Sequence, residues 1–290
     1  MEVIESPKRM QELTDQLRVQ GKRIGFVPTM GALHEGHLSL MRRSREENDI
    51  SIISLFVNPT QFDRKDDLEA YPRDLESDLK KAEGVGVDIV FAPTKEAMYP
   101  LGYQTSVEVE RLTRLWEGAS RPGHFKGVTT VVTKLFNIVK PHRAYFGQKD
   151  YQQALVIKRM VADLNLDVEV VVSPIVREPD GLAFSSRNVN LYPEERKAAL
   201  GLHRSLVYAE ERVRKGEGGA KAILEGMRRI IEKEPLARID YVACCHPETL
   251  EPIERIEGTV LFALAVWIGK TRLIDNTLVK PEGIRKSHWR

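Results

Sequence analysis

Cysteine is nearly absent from this chain: two of 290 residues, Cys244 and Cys245, side by side. Neighbours in a strand point to opposite faces, so a disulfide between them is not expected, and no metal-ligand spacing exists. A reduced, cytoplasmic protein is expected. Long apolar runs are missing as well. The longest, residues 259–268, falls far short of the roughly 20 residues that a membrane-spanning helix needs. The first ten residues, MEVIESPKRM, carry two glutamates and no apolar stretch of a signal peptide. Neither sign of charge is in excess, since 44 Lys and Arg oppose 42 Asp and Glu for a net charge of +2. Nucleic-acid coats and membrane-surface binders need a basic surplus, so neither partner is expected. Any anion site must be local. The chain also lacks internal repeats and low-complexity segments.

What is present is the composition of a soluble globular protein, 42% hydrophobic and 30% charged, long enough for one or two domains. Few cysteines with abundant Lys, Arg and Glu are compatible with a thermophilic composition. The most informative stretch is RIGFVPTMGALHEGHLSLMRRSREEN, residues 23–48. Ile24, Phe26 and Val27 read as a strand, which Pro28 and Gly31 break. A helix restarts near Glu35, with Leu38, Leu40 and Met41 as its apolar positions. Strand, glycine turn and helix start together make a ready phosphate site, because free backbone N–H groups and the helix dipole both point at an anion. His34 and His37 straddle that start at i and i+3, on one side of the first turn. Metalloprotease zinc helices space their histidines at i and i+4, so this pair is one residue too close for that chemistry.

Further along, strands and helices alternate. Helices are predicted over residues 7–20, 74–83, 127–139 and 151–164, and strands over 49–58, 88–92, 142–146 and 167–174. Residues 106–114 read as a strand followed by a short helix. The isoleucine-rich strand 49–58 is expected to be buried on both faces. Such alternation predicts a Rossmann-like parallel sheet with right-handed crossovers. Ligands of such sheets sit at the carboxyl ends of the strands. Four polar segments fall at such ends: the Pro28–His37 turn, Asn58-Pro59-Thr60-Gln61, Gly147-Gln148-Lys149-Asp150, and the loop carrying Ser185-Ser186-Arg187. Two hydroxyls and a guanidinium suit phosphate. From Pro193 the pattern changes to two long helices, 193–215 and 220–233, then strands at 239–245, 260–268 and 271–277. The reading is therefore residues 1–185 as a Rossmann-like catalytic domain and 186–290 as a small α+β domain closing over the site. The charged tail KPEGIRKSHWR reads as frayed.

In order along the chain, PTMGALHEGHLSL, FVNPTQF, RPGHFKGV, FGQKDYQQ, SSRN and GKTRLIDN resemble the pantothenate synthetase (pantoate–β-alanine ligase) family over nearly the whole sequence. The His-x-Gly-His piece alone marks only the wider superfamily of nucleotidyltransferases and class I aminoacyl-tRNA synthetases. The resemblance implies an enzyme that joins pantoate to β-alanine with ATP and Mg²⁺, through a pantoyl adenylate, releasing pyrophosphate and then AMP. It implies a homodimer, and it leaves direct metal ligands unassigned. It implies ATP contacts from Met30, Gly31, Ala32, Leu33, His34, Glu35, Gly36 and His37, and from Gly147, Gln148, Lys149 and Asp150. Val176 and the run Phe184, Ser185, Ser186 and Arg187 are implied as further ATP contacts. His37 matches the family's catalytic histidine; His34 and His37 are expected to donate to phosphate oxygens, and Lys149 with Mg²⁺ to neutralise charge. Gln61 and Gln153 match the glutamines that hold pantoate, while Asn58 and Arg121 match further pocket residues. Phe184 departs from the methionine or leucine that is commoner in the family; an apolar wall is kept. Two other readings compete: a superfamily nucleotidyltransferase that stops after AMP transfer, and a nucleotide-binding protein without catalysis. The first has no use for the neutral amides of NPTQF and the second glutamine motif. The second needs no combination of two histidines, Lys149 and Ser-Ser-Arg.

Overall fold

The computed structural model describes residues 1–281, so the tail is outside the described residues from position 282 onward. The chain divides into two compact units, Met1–Val176 and Arg177–Arg290. In the first, strands β1 (Glu2–Ile4), β2 (Ile24–Thr29), β3 (Ile50–Leu55), β4 (Ile89–Phe91), β5 (Arg143–Gly147) and β6 (Glu169–Ser173) form one sheet in the order β1-β4-β3-β2-β5-β6. Every pairing in it is parallel. The winding reverses between β2 and β5, which places a topological switch point beside the strand that ends in Pro28 and Thr29.

The alternation of side chains along each strand supplies two cores. Phe26, Ile52 and Phe91 pack on one face with Met10 of α1 (Pro7–Val19), Val128 and Val131 of α7 (His124–Val139) and Ile157 of α8 (Tyr151–Asp163). Val27, Ile53 and Val90 pack on the other with Leu40 and Met41 of α2 (Glu35–Glu47) and Ala82 of α4 (Leu75–Gly84). Ile52 and Ile53 of β3 are thus buried on opposite faces, as the isoleucine-rich run predicts. Helix starts are capped locally: Ser6 accepts from the Arg9 N–H at 3.3 Å, and Asp74 from the Ser77 N–H at 3.0 Å.

The sequence reading misses β1 and the short helices α3 (Lys65–Ala70), α5 (Lys95–Met98) and α6 (Glu117–Ser120), whose few residues carry no periodicity. Residues 106–114 form no strand. The Val107 N–H donates to Thr130 Oγ1 (3.0 Å) and its carbonyl accepts from Thr129 Oγ1 (2.6 Å), so α7 side chains take the place of a strand partner.

The second unit is α+β. Helices α9 (Pro193–Arg214) and α10 (Ala220–Glu232) precede an antiparallel sheet β7 (Ala237–Cys245), β8 (Val260–Ile268) and β9 (Thr271–Val279). Leu202, Leu206, Ile223 and Met227 of the helices pack on Phe262, Leu264 and Val266. Cys244 and Cys245 are buried in β7, and burial pushes both thiols up to about 12. Among the described residues no helix is long and apolar enough to cross a membrane.

Candidate active site

Because the sheet is parallel, the segments after β2, β3 and β5 leave from one edge. After β2 the chain turns sharply through Gly31 (φ +87°) and Ala32 (φ +52°), two successive left-handed residues. Thr29 Oγ1 donates to the Ser54 carbonyl (2.7 Å) and accepts from the Gly31 N–H (3.2 Å), which ties the turn to β3. Asp78 of α4 holds the rest. One oxygen accepts the Ala32 N–H at 2.8 Å and the other the Leu33 N–H at 2.7 Å, from a side chain buried at 3% exposure. A Cβ on Gly31 would lie 2.8 Å from that carboxylate, so this close approach also requires glycine. Lys81 Nζ donates to the Leu33 carbonyl at 2.9 Å.

This turn delivers His34 as the N-cap of α2, with His37 one turn in and the two rings 4.0 Å apart. The His34 backbone N–H points at His37 Nδ1 (3.4 Å). A backbone N–H can only donate, so Nδ1 is the lone-pair nitrogen and the neutral ring carries its proton on Nε2. Burial, with His34 and the nearby Lys149 and Lys81 adding to it, pushes His37 down to about 3 against the opposing pull of Asp150. His37 is therefore an uncharged N–H donor across the physiological range. Lys149 and Asp150, paired at 3.3 Å, lie in the 3₁₀ turn Gln148–Asp150 between β5 and α8.

After β3, the 3₁₀ turn Pro59–Gln61 carries the second polar cluster. Asn58 and Gln61 are buried, at 1% and 8% exposure. Gln61 Nε2 lies 3.1 Å from Met30 Sδ, which brings the segments after β2 and β3 together. His124, at the start of α7, meets the Gln61 carbonyl through Nδ1 (2.8 Å) and Arg121 Nη1 through Nε2 (3.3 Å). Carbonyls only accept and guanidinium only donates, so the proton sits on Nδ1 and the ring is neutral. Burial, then the adjacent Arg121, pushes His124 down to about 4. Arg121 also reaches Asp63 (3.4 Å). The two glutamines of α8 have different places. Gln152 is buried and clamps residues 112–117, donating to the Leu112 and Leu115 carbonyls (2.7 and 2.9 Å) and accepting from the Glu117 N–H (3.1 Å). Gln153 is half-buried.

Met30 through His37, Asn58, Gln61, Arg121, Gly147 through Asp150 and Gln153 thus belong to one unit, with Val176 as its last residue. Phe184, Ser185, Ser186 and Arg187 belong to the other. There Ser185 Oγ accepts from the Arg187 N–H at 3.2 Å and starts a 3₁₀ turn, Ser186–Asn190. That loop is braced within its own unit: Arg177 grips the carboxylate of Asp275 (2.6 and 3.0 Å), and Arg196 bonds Glu178 and Asp180, each at 2.7 Å. Among the described residues, no three His, Cys, Asp or Glu side chains are gathered as metal ligands.

Sequence reasoning passes over Asp78, Tyr99, His124 and Gln152. A signal exists for Asp78, which falls four positions before Ala82 and seven before Val85, on the stripe that its helix buries. His124 stands inside the quoted RPGHF, without a role.

The family model described as pantoate-beta-alanine ligase matches residues 2–278. The pantothenate synthetase of Moorella thermoacetica is 57% identical over 280 residues, covering 97% of this chain and 99% of that protein. That of Acetivibrio thermocellus is 58% identical over 280 residues, covering 97% and 100%. Among solved structures, pantothenate synthetase from Thermus thermophilus superposes with a TM-score of 0.92 at 48% identity, covering 97% of this chain and 100% of that one. Pantoate-beta-alanine ligase from Francisella tularensis, complexed with beta-gamma ATP and beta-alanine, gives 0.80 at 35% identity, covering 96% and 97%. With its turns, histidines and amides in this arrangement, the chain belongs to the pantoate–β-alanine ligase family.

Proposed function

We propose that this chain joins pantoate to β-alanine at the expense of ATP, through a pantoyl adenylate. The observation that carries the reading, beside family membership, is that His37 with Lys149 nearby, and Gln61 against Met30, stand on segments that leave one edge of a parallel sheet beside its switch point. In the first step a pantoate carboxylate oxygen attacks the α-phosphorus of ATP, and the bond to the β-phosphate bridging oxygen breaks. A carboxylic acid of pKa about 4 is already ionised at pH 7, so this step needs no general base. The demand is electrostatic: an anion must approach a polyanion, and charge moves onto pyrophosphate. His37, neutral with its proton on Nε2, donates to a phosphate oxygen. His34 is its companion donor, and Lys149 supplies positive charge.

Gln61 and Gln153 hold pantoate, with Asn58 and Arg121 as supporting wall. Met30 to His37, Gly147 to Asp150 and Val176 are proposed ATP contacts. The same role for Phe184 to Arg187 rests on the likeness of SSRN to the family's sequence. Mg²⁺ is taken as arriving with ATP, since it favours one or two carboxylates plus substrate phosphates over a dedicated protein cage. In the second step the amine of β-alanine attacks the acyl carbon, AMP leaves, and the nitrogen gives up a proton. An aliphatic amine has a pKa of about 10, so freeing it at pH 7 costs roughly 4 kcal/mol at 1.36 per unit. A homodimer and a cytoplasmic location are proposed on sequence likeness and composition.

The test is pyrophosphate release from ATP, Mg²⁺ and pantoate, with and without β-alanine. A single-turnover burst without the amine and steady turnover with it are expected. Release that ignores pantoate, or continues catalytically without an amine, would assign the chain to simple nucleotidyl transfer.

A further inference from the structure

The turn after β3 is wired so that one side-chain amide can face only one way. Asn58 Nδ2 donates to the Gly127 carbonyl (3.1 Å) and to Gln61 Oε1 (3.0 Å). Its Oδ1 accepts from the Tyr99 hydroxyl (2.8 Å), the Thr60 hydroxyl (2.9 Å) and the Thr60 N–H (3.4 Å). A carboxamide has two N–H donors and two acceptor lone pairs, so these partners use its full capacity. The two backbone groups remove any ambiguity of orientation. A carbonyl only accepts and a backbone N–H only donates, so the end of Asn58 facing Gly127 is nitrogen and the end facing Thr60 is oxygen. The nitrogen end also faces Gln61, whose apposed atom must accept and is Oε1. Gln61 Nε2 therefore points away from Asn58, toward Met30 Sδ (3.1 Å) on the segment after β2. A thioether is a weak acceptor, which a substrate oxygen would readily replace.

Tyr99 completes the lock. It follows α5, and its ring packs near Phe56 and edge-on against Tyr103, at centroid distances of 6.3 and 5.0 Å. Lys134 Nζ lies over both tyrosine rings, 5.7 and 4.7 Å from their centroids. Burial raises the Tyr99 phenol above its ordinary value, so the hydroxyl keeps its proton and remains a donor. Gly127 is held just as closely, since a Cβ there would lie 2.3 Å from the Thr60 carbonyl oxygen.

We propose that Tyr99, through Asn58, is a positioning residue that holds Gln61 as an N–H donor, so that the group Gln61 receives is an acceptor oxygen of the hydroxy acid. This rests on the reading of Gln61 as a pantoate-binding residue. Asn58 then acts on the pocket by orienting Gln61, and Tyr99 sets specificity from behind it.

The experiment compares KM for pantoate and for ATP in Tyr99→Phe, Asn58→Asp and Gln61→Ala. Tyr99→Phe keeps the ring packing and removes one donor. Asn58→Asp accepts but does not donate, so it draws Gln61 Nε2 inward and turns Oε1 toward the substrate. A hydrogen bond to a charged group is worth about 1.5–3 kcal/mol, so Gln61→Ala should raise the pantoate KM on the order of 10–100-fold. Asn58→Asp should match it within a few fold, and Tyr99→Phe should give roughly 3–10-fold, as one neutral bond of about 1 kcal/mol implies. The ATP KM should stay within about twofold throughout, a split that general loosening of the fold would not produce. If Asn58→Asp does not fold, Tyr99→Phe carries the test by itself. An impaired Gln61→Ala beside a Tyr99→Phe with normal pantoate KM, or one that loses only kcat, overturns the positioning role alone. A Gln61→Ala variant with normal pantoate KM overturns the reading of Gln61 and this proposal with it.

Discussion

Two histidines of this chain are kept uncharged chiefly by burial, and each carries a prediction. His37 donates from Nε2 because its other nitrogen accepts a backbone N–H. Removing one preorganised donor to a developing phosphate charge typically costs 10²–10³ in turnover. His37→Ala should lose about that much in kcat with an unchanged far-UV spectrum and a cooperative unfolding transition; a normal rate would sink the assignment. His124 is wedged between the Gln61 carbonyl and the Arg121 guanidinium, and a proton on its Nε2 would set two cations face to face. Its folded value of about 4 lies below the unfolded 6.5, so the stabilisation is complete above pH 6.5 and drains away as pH falls toward 4. At pH 5 the loss is roughly 2 kcal/mol relative to pH 7. Urea unfolding at the two pH values should register it, and His124→Gln should flatten the slope between them by about one proton. At this scale the histidine pair and the polar loops were legible because they interrupt apolar runs. Asp78 was not, since one acidic residue on a helix reads as a solvated one until its backbone partners, 45 and 46 positions away, are known.

At the scale of elements, hydrophobic periodicity located most of the long helices and central strands. It failed where the partner of a backbone group is a side chain from elsewhere, as at Val107, whose N–H and carbonyl are both taken by threonines of α7. It also placed the start of α7 at Gly127, three residues late, because His124 and Phe125 looked like part of the turn. Gly127 lies against the turn after β3 rather than opening the helix. With the Thr60 carbonyl oxygen 2.3 Å from a prospective Cβ, Gly127→Ala must push α7 and the Asn58–Gln61 turn apart. Overpacking of this kind costs about 1–3 kcal/mol. Thermal unfolding should show that loss, together with a raised pantoate KM, since the Gly127 carbonyl is one of the groups that orient Asn58.

For the whole molecule, the change from alternating to segregated elements predicted two parts with separate cores, and the cores are separate. The sequence reading divides the chain at residues 185 and 186, in a polar loop, whereas the contacts divide it between Val176 and Arg177. The bonds responsible reach far along the chain, from Arg177 to Asp275 and from Glu178 and Asp180 to Arg196, and no local pattern announces them. Asp275 is 3% exposed, and removing its carboxylate takes the counter-charge from the Arg177 guanidinium, which keeps its bond to the Gly181 carbonyl at 3.1 Å. Breaking a buried pair from one side costs on the order of 3 kcal/mol. Asp275→Ala should therefore lower amide-exchange protection in β8 and β9 and leave β2 and β3 protected. Equal loss in both sheets would mean that the two cores unfold as one.

The paired thiols of β7 have a practical consequence. At about 12, their thiolate fraction near pH 7 is on the order of 10⁻⁵. They are the chain's entire complement of cysteine. The wild-type sequence is thus a silent background for maleimide chemistry. A single cysteine introduced at an exposed position would take a fluorophore or spin label alone, and catalysis could be followed optically without first replacing a native residue.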